Sequence, residues 1–264
     1  IPDPVARNLT SGRHGTIGLL LPETISVAFL NSHLSQIVQG IGEVCERERH
    51  SLTLIPPVRE SLLDGIRSAA VDGLITIGLE PGMETVALMR QRHLPFVTID
   101  GRPGGGFPEV GIDDQSAAAE AMAHVLELGH RDVAILAFLD EPRLAAPSQV
   151  TQERLAGFTA AANAWDGELS VRCWECESSR SGGVEAMEAI REDGFSPTAV
   201  VAMSDVIAIG VLESLAARGV EVPEEITVVG FDDIPEASLI RPALTTIAQN
   251  GFDKGLAAAD ILMA

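Results

Sequence analysis

The sequence predicts an α/β protein built as two doubly wound parallel-sheet lobes with a ligand cleft between them. Three observations carry that prediction. Short β-branched and aliphatic runs alternate with longer segments of helical period along nearly the whole chain. The predicted strands are almost continuously apolar, as a parallel sheet covered by helices on both faces requires. The order of β-α units also occurs twice, once from residue 16 to 112 and again from 113 onward. The expected organisation is a leading segment at 1–15, a first lobe at 16–112 completed by 249–264, and a second lobe at 113–248.

The elements follow in order. Residues 16–21 form an aliphatic strand, and 32–48 a helix whose Leu34, Ile37, Ile41, Val44 and Cys45 share one stripe. A strand at 51–55, a helix at 59–70 and a strand at 74–77 come next. A helix at 83–91 leads to a strand at 96–99, and a glycine-proline loop to a short strand at 109–112. The helix at 115–128 carries Asp113 and Asp114 near its positive end. Strands are expected at 133–137, 169–173, 199–203 and 227–231. The intervening and closing helices are expected at 151–164, 183–192, 205–218 and 250–263. Ligands of such folds bind at strand carboxyl ends, where helix N-termini and loop amides converge.

Composition narrows the function. The 264 residues carry 18 Lys plus Arg against 38 Asp plus Glu, a net charge of −20, with 46% hydrophobic residues. That apolar fraction excludes disorder, and no apolar run is long enough to span a bilayer. The acidic balance argues that this stretch does not itself grip a phosphate backbone, which needs clustered cations. No hydrophobic signal segment opens the chain, so a cytoplasmic protein is expected. The cysteines are Cys45, Cys173 and Cys176, an odd number that is no disulfide framework. Cys173 and Cys176 have CxxC spacing, which admits a redox or zinc reading. Zinc needs two further ligands, and a redox pair belongs at a helix N-terminus. The two are therefore read as strand-end thiols in a reducing compartment.

No catalytic constellation is present in the sequence. Gly101–Gly106 lacks the GxGxxG register, and neither a P-loop nor a GxSxG elbow occurs. The six histidines have no metal spacing, so neither metal nor cofactor is expected. Asp232 and Asp233 are adjacent and point differently, which suits a polar ligand contact better than acid–base work. What remains is polar residues at strand ends: Asp100, Ser204-Asp205 and Asp232-Asp233. Each is equally readable as a helix cap or a ligand contact, Ser204 being well placed as an N-cap. Arg154 is by default a surface cation; facing Asp232 it would instead form a fork for hydroxyl groups.

The chain resembles the LacI/GalR transcription regulators over nearly its whole length. The most specific stretch is Pro2-Asp3-Pro4-Val5-Ala6-Arg7-Asn8-Leu9 followed by Gly12-Arg13, similar to the family's hinge pattern P-N-x-x-A-R-x-L-x-x-G-R. Further matches are Val71-Asp72-Gly73-Leu74-Ile75, Leu128-Gly129-His130-Arg131, Arg154-Leu155-Ala156-Gly157-Phe158, Ser204-Asp205, Val228-Val229-Gly230-Phe231-Asp232-Asp233 and Pro242-Ala243-Leu244-Thr245-Thr246-Ile247.

The resemblance implies a fold like the type I periplasmic sugar-binding proteins and a homodimeric repressor core without enzymatic activity. It also implies a separate N-terminal helix-turn-helix that would hold operator DNA together with the hinge. Within that hinge Leu9 would wedge into a minor-groove step and Arg7 would lie near phosphates. The partners implied are a small polar effector, a sugar favoured, and operator DNA, with no membrane. The implied effector contacts are Asn31, His33, Asp100, Arg154, Ser178, Ser204 and Asp232. Ser204 stands where the family usually has Asn, and Ser178 where an aromatic often stacks on the ligand. The segment 23–32 is longer than the common pattern, and further strands are expected beyond Ala264. A sugar-transport solute-binding protein shares the fold and is the alternative; an α/β enzyme is a third reading, motivated only by Asp232 and Asp233.

Overall fold

The computed structural model describes residues 14–59, 61–139 and 148–264. The hinge residues Arg7 and Leu9 lie outside these. The chain divides into two compact units. The first holds the described residues up to Leu30 with Leu34–Gly111 and Gly251–Ala264, the second Asn31–His33 and Ile112–Asn250.

In the first unit β1 (Thr16–Leu20), α1 (Ile25–Ala28), α2 (Ser32–Glu48), β2 (Ser51–Ile55), α3 (Leu62–Ser68), β3 (Gly73–Ile77), α4 (Glu84–Gln91), β4 (Phe96–Ile99) and β5 (Glu109–Val110) follow one another. Their sheet has the order β2-β1-β3-β4-β5, every pair parallel. The two-residue period of the strands sorts the core into two layers. Leu19 packs in one layer with Ile37, Ile41 and Val44 of α2, Leu20 in the other with Ile66, Val86 and Met89 of α3 and α4. Asp72 anchors the start of β1 by accepting from the amides of His14 at 2.7 Å and Gly15 at 2.6 Å.

The second unit runs α5 (Asp114–Glu127), β6 (Asp132–Phe138), α6 (Gln149–Asn163), β7 (Ser170–Cys176), α7 (Arg180–Glu192), β8 (Ala199–Ala202), α8 (Asp205–Ala216), β9 (Thr227–Asp232), α9 (Pro235–Leu239) and β10 (Thr245–Ala248). Helix α10 (Gly251–Met263) belongs to the first unit. The second sheet has the order β10-β9-β8-β6-β7 and is again wholly parallel. Val133, Ile135 and Ala137 of β6 pack toward Met122, Val125 and Phe158 of α5 and α6. Ala134 and Leu136 pack toward Met187, Ile190, Ile207 and Val211 of α7 and α8. Helices α5 and α6 approach closely at Gly157, where an added Cβ would lie 2.1 Å from the Gln115 carbonyl oxygen.

Several expected boundaries move, each for a physical reason. The helix expected at 59–70 is only Leu62–Ser68, because Val58 and Ser61 bridge and the Ser61 hydroxyl caps the helix at the Asp64 amide. The strand expected at 109–112 is limited to Glu109–Val110 on the sheet edge. The strand expected at 169–173 extends through Cys176. It is an edge strand with exposed Arg172 and Glu175, so the apolar run stops before the backbone pairing does. Cys173 and Cys176 therefore point to opposite faces, one exposed and the other buried. Helices α1 and α9 and strand β10 were not anticipated; α1 buries no residue and so has no burial period to read. Among the described residues no helix is long and apolar enough to cross a membrane.

Candidate functional site

The carboxyl edge of the second sheet gathers the polar side chains. Arg154, in the second turn of α6, is only 2% exposed. Its Nε donates to Asp114 Oδ1 at 2.7 Å and its Nη1 to the Met203 carbonyl oxygen. The same Nη1 stands 3.8 Å from Asp232 Oδ1. The guanidinium lies over the Phe231 ring, 3.6 Å from its centroid. Four supports thus hold one planar cation, and its Nη2 carries no hydrogen bond to a described residue. The default expectation of a surface cation at 154 is corrected: the side chain is buried and faces Asp232.

Local sequence explains the placement. Asp113 caps α5 by accepting from the Ser116 amide at 2.9 Å, which sets Asp114 in the first turn. A carboxylate there meets the positive end of the helix and tolerates burial. Asp232 ends β9, also 2% exposed, with φ of 129°. Gln249 Nε2 donates to its Oδ1. A cation fixed between two buried carboxylates offers a hydroxyl-bearing ligand a donor at Arg154 and an acceptor at Asp232, the geometry in which charged hydrogen bonds are strongest.

The other expected residues are distributed as follows. Ser204 is fully buried and caps α8, its hydroxyl accepting from the Ile207 amide at 3.4 Å. Its neighbour Met203 supplies the carbonyl that Arg154 holds, so Ser204, Arg154 and Asp232 are brought together. Asp205 is fully buried as well; burial pushes its carboxyl up, against hydrogen bonds from Thr246 and Ile234. Ser178 is exposed in the loop after β7, one residue before Ser179, which caps α7 at the Gly182 amide. Asn31 accepts from the His33 amide at 2.9 Å at the start of α2, and His33 is buried. Asp100, in the first unit, has φ of 53° and receives Lys254 Nζ of α10 at 2.6 Å, a pair with side-chain exposures of 11% and 4%.

The sequence reading missed Phe231, Gln249 and Lys254, and took Asp114 only as a helix-end charge. A lysine inside an otherwise apolar helical stripe and a glutamine closing a strand were the signals available. Among the described residues no group of three or more His, Cys, Asp or Glu is placed to hold a metal ion.

These features define a periplasmic binding protein-like domain, and residues 122–264 match the family of that description. The chain is 33% identical to the HTH-type transcriptional regulator Rv3575c of Mycobacterium tuberculosis, covering 99% of this chain and 77% of that protein. It is 30% identical to the HTH-type transcriptional repressor PurR of Glaesserella parasuis, covering 99% and 76%. The structure of a LacI family transcriptional regulator from Enterococcus faecalis with bound ribose superposes with a TM-score of 0.79 at 28% identity, covering 94% of this chain and 89% of that one. The chain belongs to the LacI family of transcriptional regulators and forms its effector-binding part. The family is one of regulators, not of enzymes.

Proposed function

We propose that this domain senses a small polyhydroxylated metabolite, a sugar, and that binding changes the affinity of a homodimeric repressor for its operator. One observation carries the reading: Arg154 is locked by Asp114, Met203 and Phe231 beside Asp232, leaving Nη2 to donate to a ligand hydroxyl. Arg154 and Asp232 are the core of the proposed contact set, with Ser204 beside them and Asn31, His33, Asp100 and Ser178 as further contacts. The ribose in the Enterococcus faecalis relative supports a sugar, and the naming of PurR as a repressor supports the direction of control. Arg7 and Leu9 are proposed to meet operator DNA, the leucine as a minor-groove wedge. A ligand moves such an equilibrium only by its difference in affinity between the two states.

A thermal-shift panel of sugars, polyols and nucleobases tests the proposal. A true effector at 100-fold over its Kd stabilises by about 2.7 kcal/mol. A pentose or hexose is expected to give the largest shift. A nucleobase as the strongest binder, or no binder among the sugars, would contradict the reading.

A further inference from the structure

We propose that Asp205 is the positioning residue of this site: it pins the turn leaving β9 and so holds Asp232 toward Arg154. The role assigned to Asp232 rests on the sugar reading above; the placement is independent of it.

Asp205 opens α8, but its oxygens do not serve that helix, which Ser204 already caps. They reach two other segments instead. Oδ2 accepts from the Ile234 amide at 2.9 Å and Oδ1 from the Thr246 hydroxyl of β10 at 2.5 Å. The donors bracket Asp232: Ile234 follows it by two residues, and Thr246 pairs in register with Gly230 on the strand that leads to it.

Two further features fit this role. Asp232 and Asp233 have φ of 129° and 56°. Residues other than glycine keep such values only where surrounding contacts hold them. The Ile234 amide that Asp205 holds lies directly after this strained pair. Gly230 supplies the room: a Cβ there would lie 2.2 Å from Asp205 Oδ1. The carboxylate fills the space that the missing side chain leaves, so Gly230 and Asp205 act as one fitted pair.

The test compares Asp205→Ala, Asp205→Asn and Gly230→Ala in the whole chain. Asparagine keeps one oxygen for the Ile234 amide and turns its NH2 toward Thr246, whose hydroxyl can accept. The readouts are amide hydrogen exchange at Asp233 and Ile234 and the Arg154–Asp232 separation in crystals of each variant. Asp205→Ala and Gly230→Ala are expected to speed exchange at Ile234 by about tenfold or more, with α5 and α6 unchanged, and to move Asp232 away from Arg154. Asp205→Asn is expected to stay within about threefold of the parent. Unchanged exchange and an unmoved Asp232 in the alanine variants would overturn the proposal, as would faster exchange spread evenly over the unit. Should Asp205→Ala fail to fold, Gly230→Ala, which keeps the carboxylate, decides alone. No sugar enters this experiment, so its outcome is separable from that of the effector reading.

Discussion

The Arg154 guanidinium carbon lies over the Phe231 ring, 3.6 Å from its centroid, while Nε donates to Asp114 at 2.7 Å. The ring covers the cation and the carboxylate holds its Nε edge. Asp232 Oδ1 stands 3.8 Å from Nη1 of the same cation.

Arg154, proposed above to face the ligand, is therefore structural as well. Arg154→Ala leaves Asp114 and Asp232 buried without their cation, and breaking a buried pair on one side costs about 3–5 kcal/mol. Urea unfolding is expected to show a loss of that order. A surface arginine would cost less than about 0.5 kcal/mol, and such a value would refute the buried arrangement.

Gly157→Ala pushes a methyl group against the Gln115 carbonyl and so separates α5 from α6. Overpacking of this kind costs about 1–3 kcal/mol. Because Asp114 and Arg154 sit on these two helices, the variant is also expected to lose sugar-induced stabilisation, read by thermal shift. Retention of the full shift would contradict the coupling.

The thiols are expected to differ sharply. Burial first, then the charges of Cys173, Glu177 and Glu185, pushes the Cys176 thiol up to about 12. Burial raises that of Cys45. Cys173 is exposed. Titration with an aromatic disulfide reagent near neutral pH should modify Cys173 alone, and no Cys173–Cys176 disulfide should form on oxidation. A loss of two hydrogens from the peptide holding both would contradict the opposite-face geometry.

His130 gives stability a definite pH slope. Burial, then the neighbouring Arg131 charge, lowers its pKa below the ordinary 6.5. The folded state then binds fewer protons than the unfolded one in the interval below 6.5, so stability rises with pH across it. The contribution is complete above the unfolded value and is lost as pH falls through the interval. His130→Gln should flatten the difference in urea midpoint between about pH 5 and pH 7.5. An unchanged difference would assign the slope elsewhere.

Much of the fold was legible because buried parallel strands announce themselves as aliphatic runs: Ser51–Ile55 and Phe96–Ile99 keep their expected bounds. Legibility failed where burial is one-sided or absent, as in the polar edge strand β7 and the solvent-exposed turn α1. At the site, Asp232 and Ser204 stood out as polar residues ending apolar strands. The burial of Arg154 did not, because no local pattern separates an arginine on a solvated helix face from one covered by Phe231 and the carboxylate of Asp114, 40 residues earlier. Asp205 and Gly230 were visible only as parts of separate motifs; their fit needs the packed strands.

The proposed grip of Arg154 and Asp232 on an effector hydroxyl can be measured. Calorimetric titration of the strongest sugar from the panel into the parent chain and Asp232→Asn tests it most directly. The parent is expected to bind, and the variant, which replaces a charged acceptor by a neutral amide, to lose affinity by about tenfold or more. Equal affinity in both would contradict it.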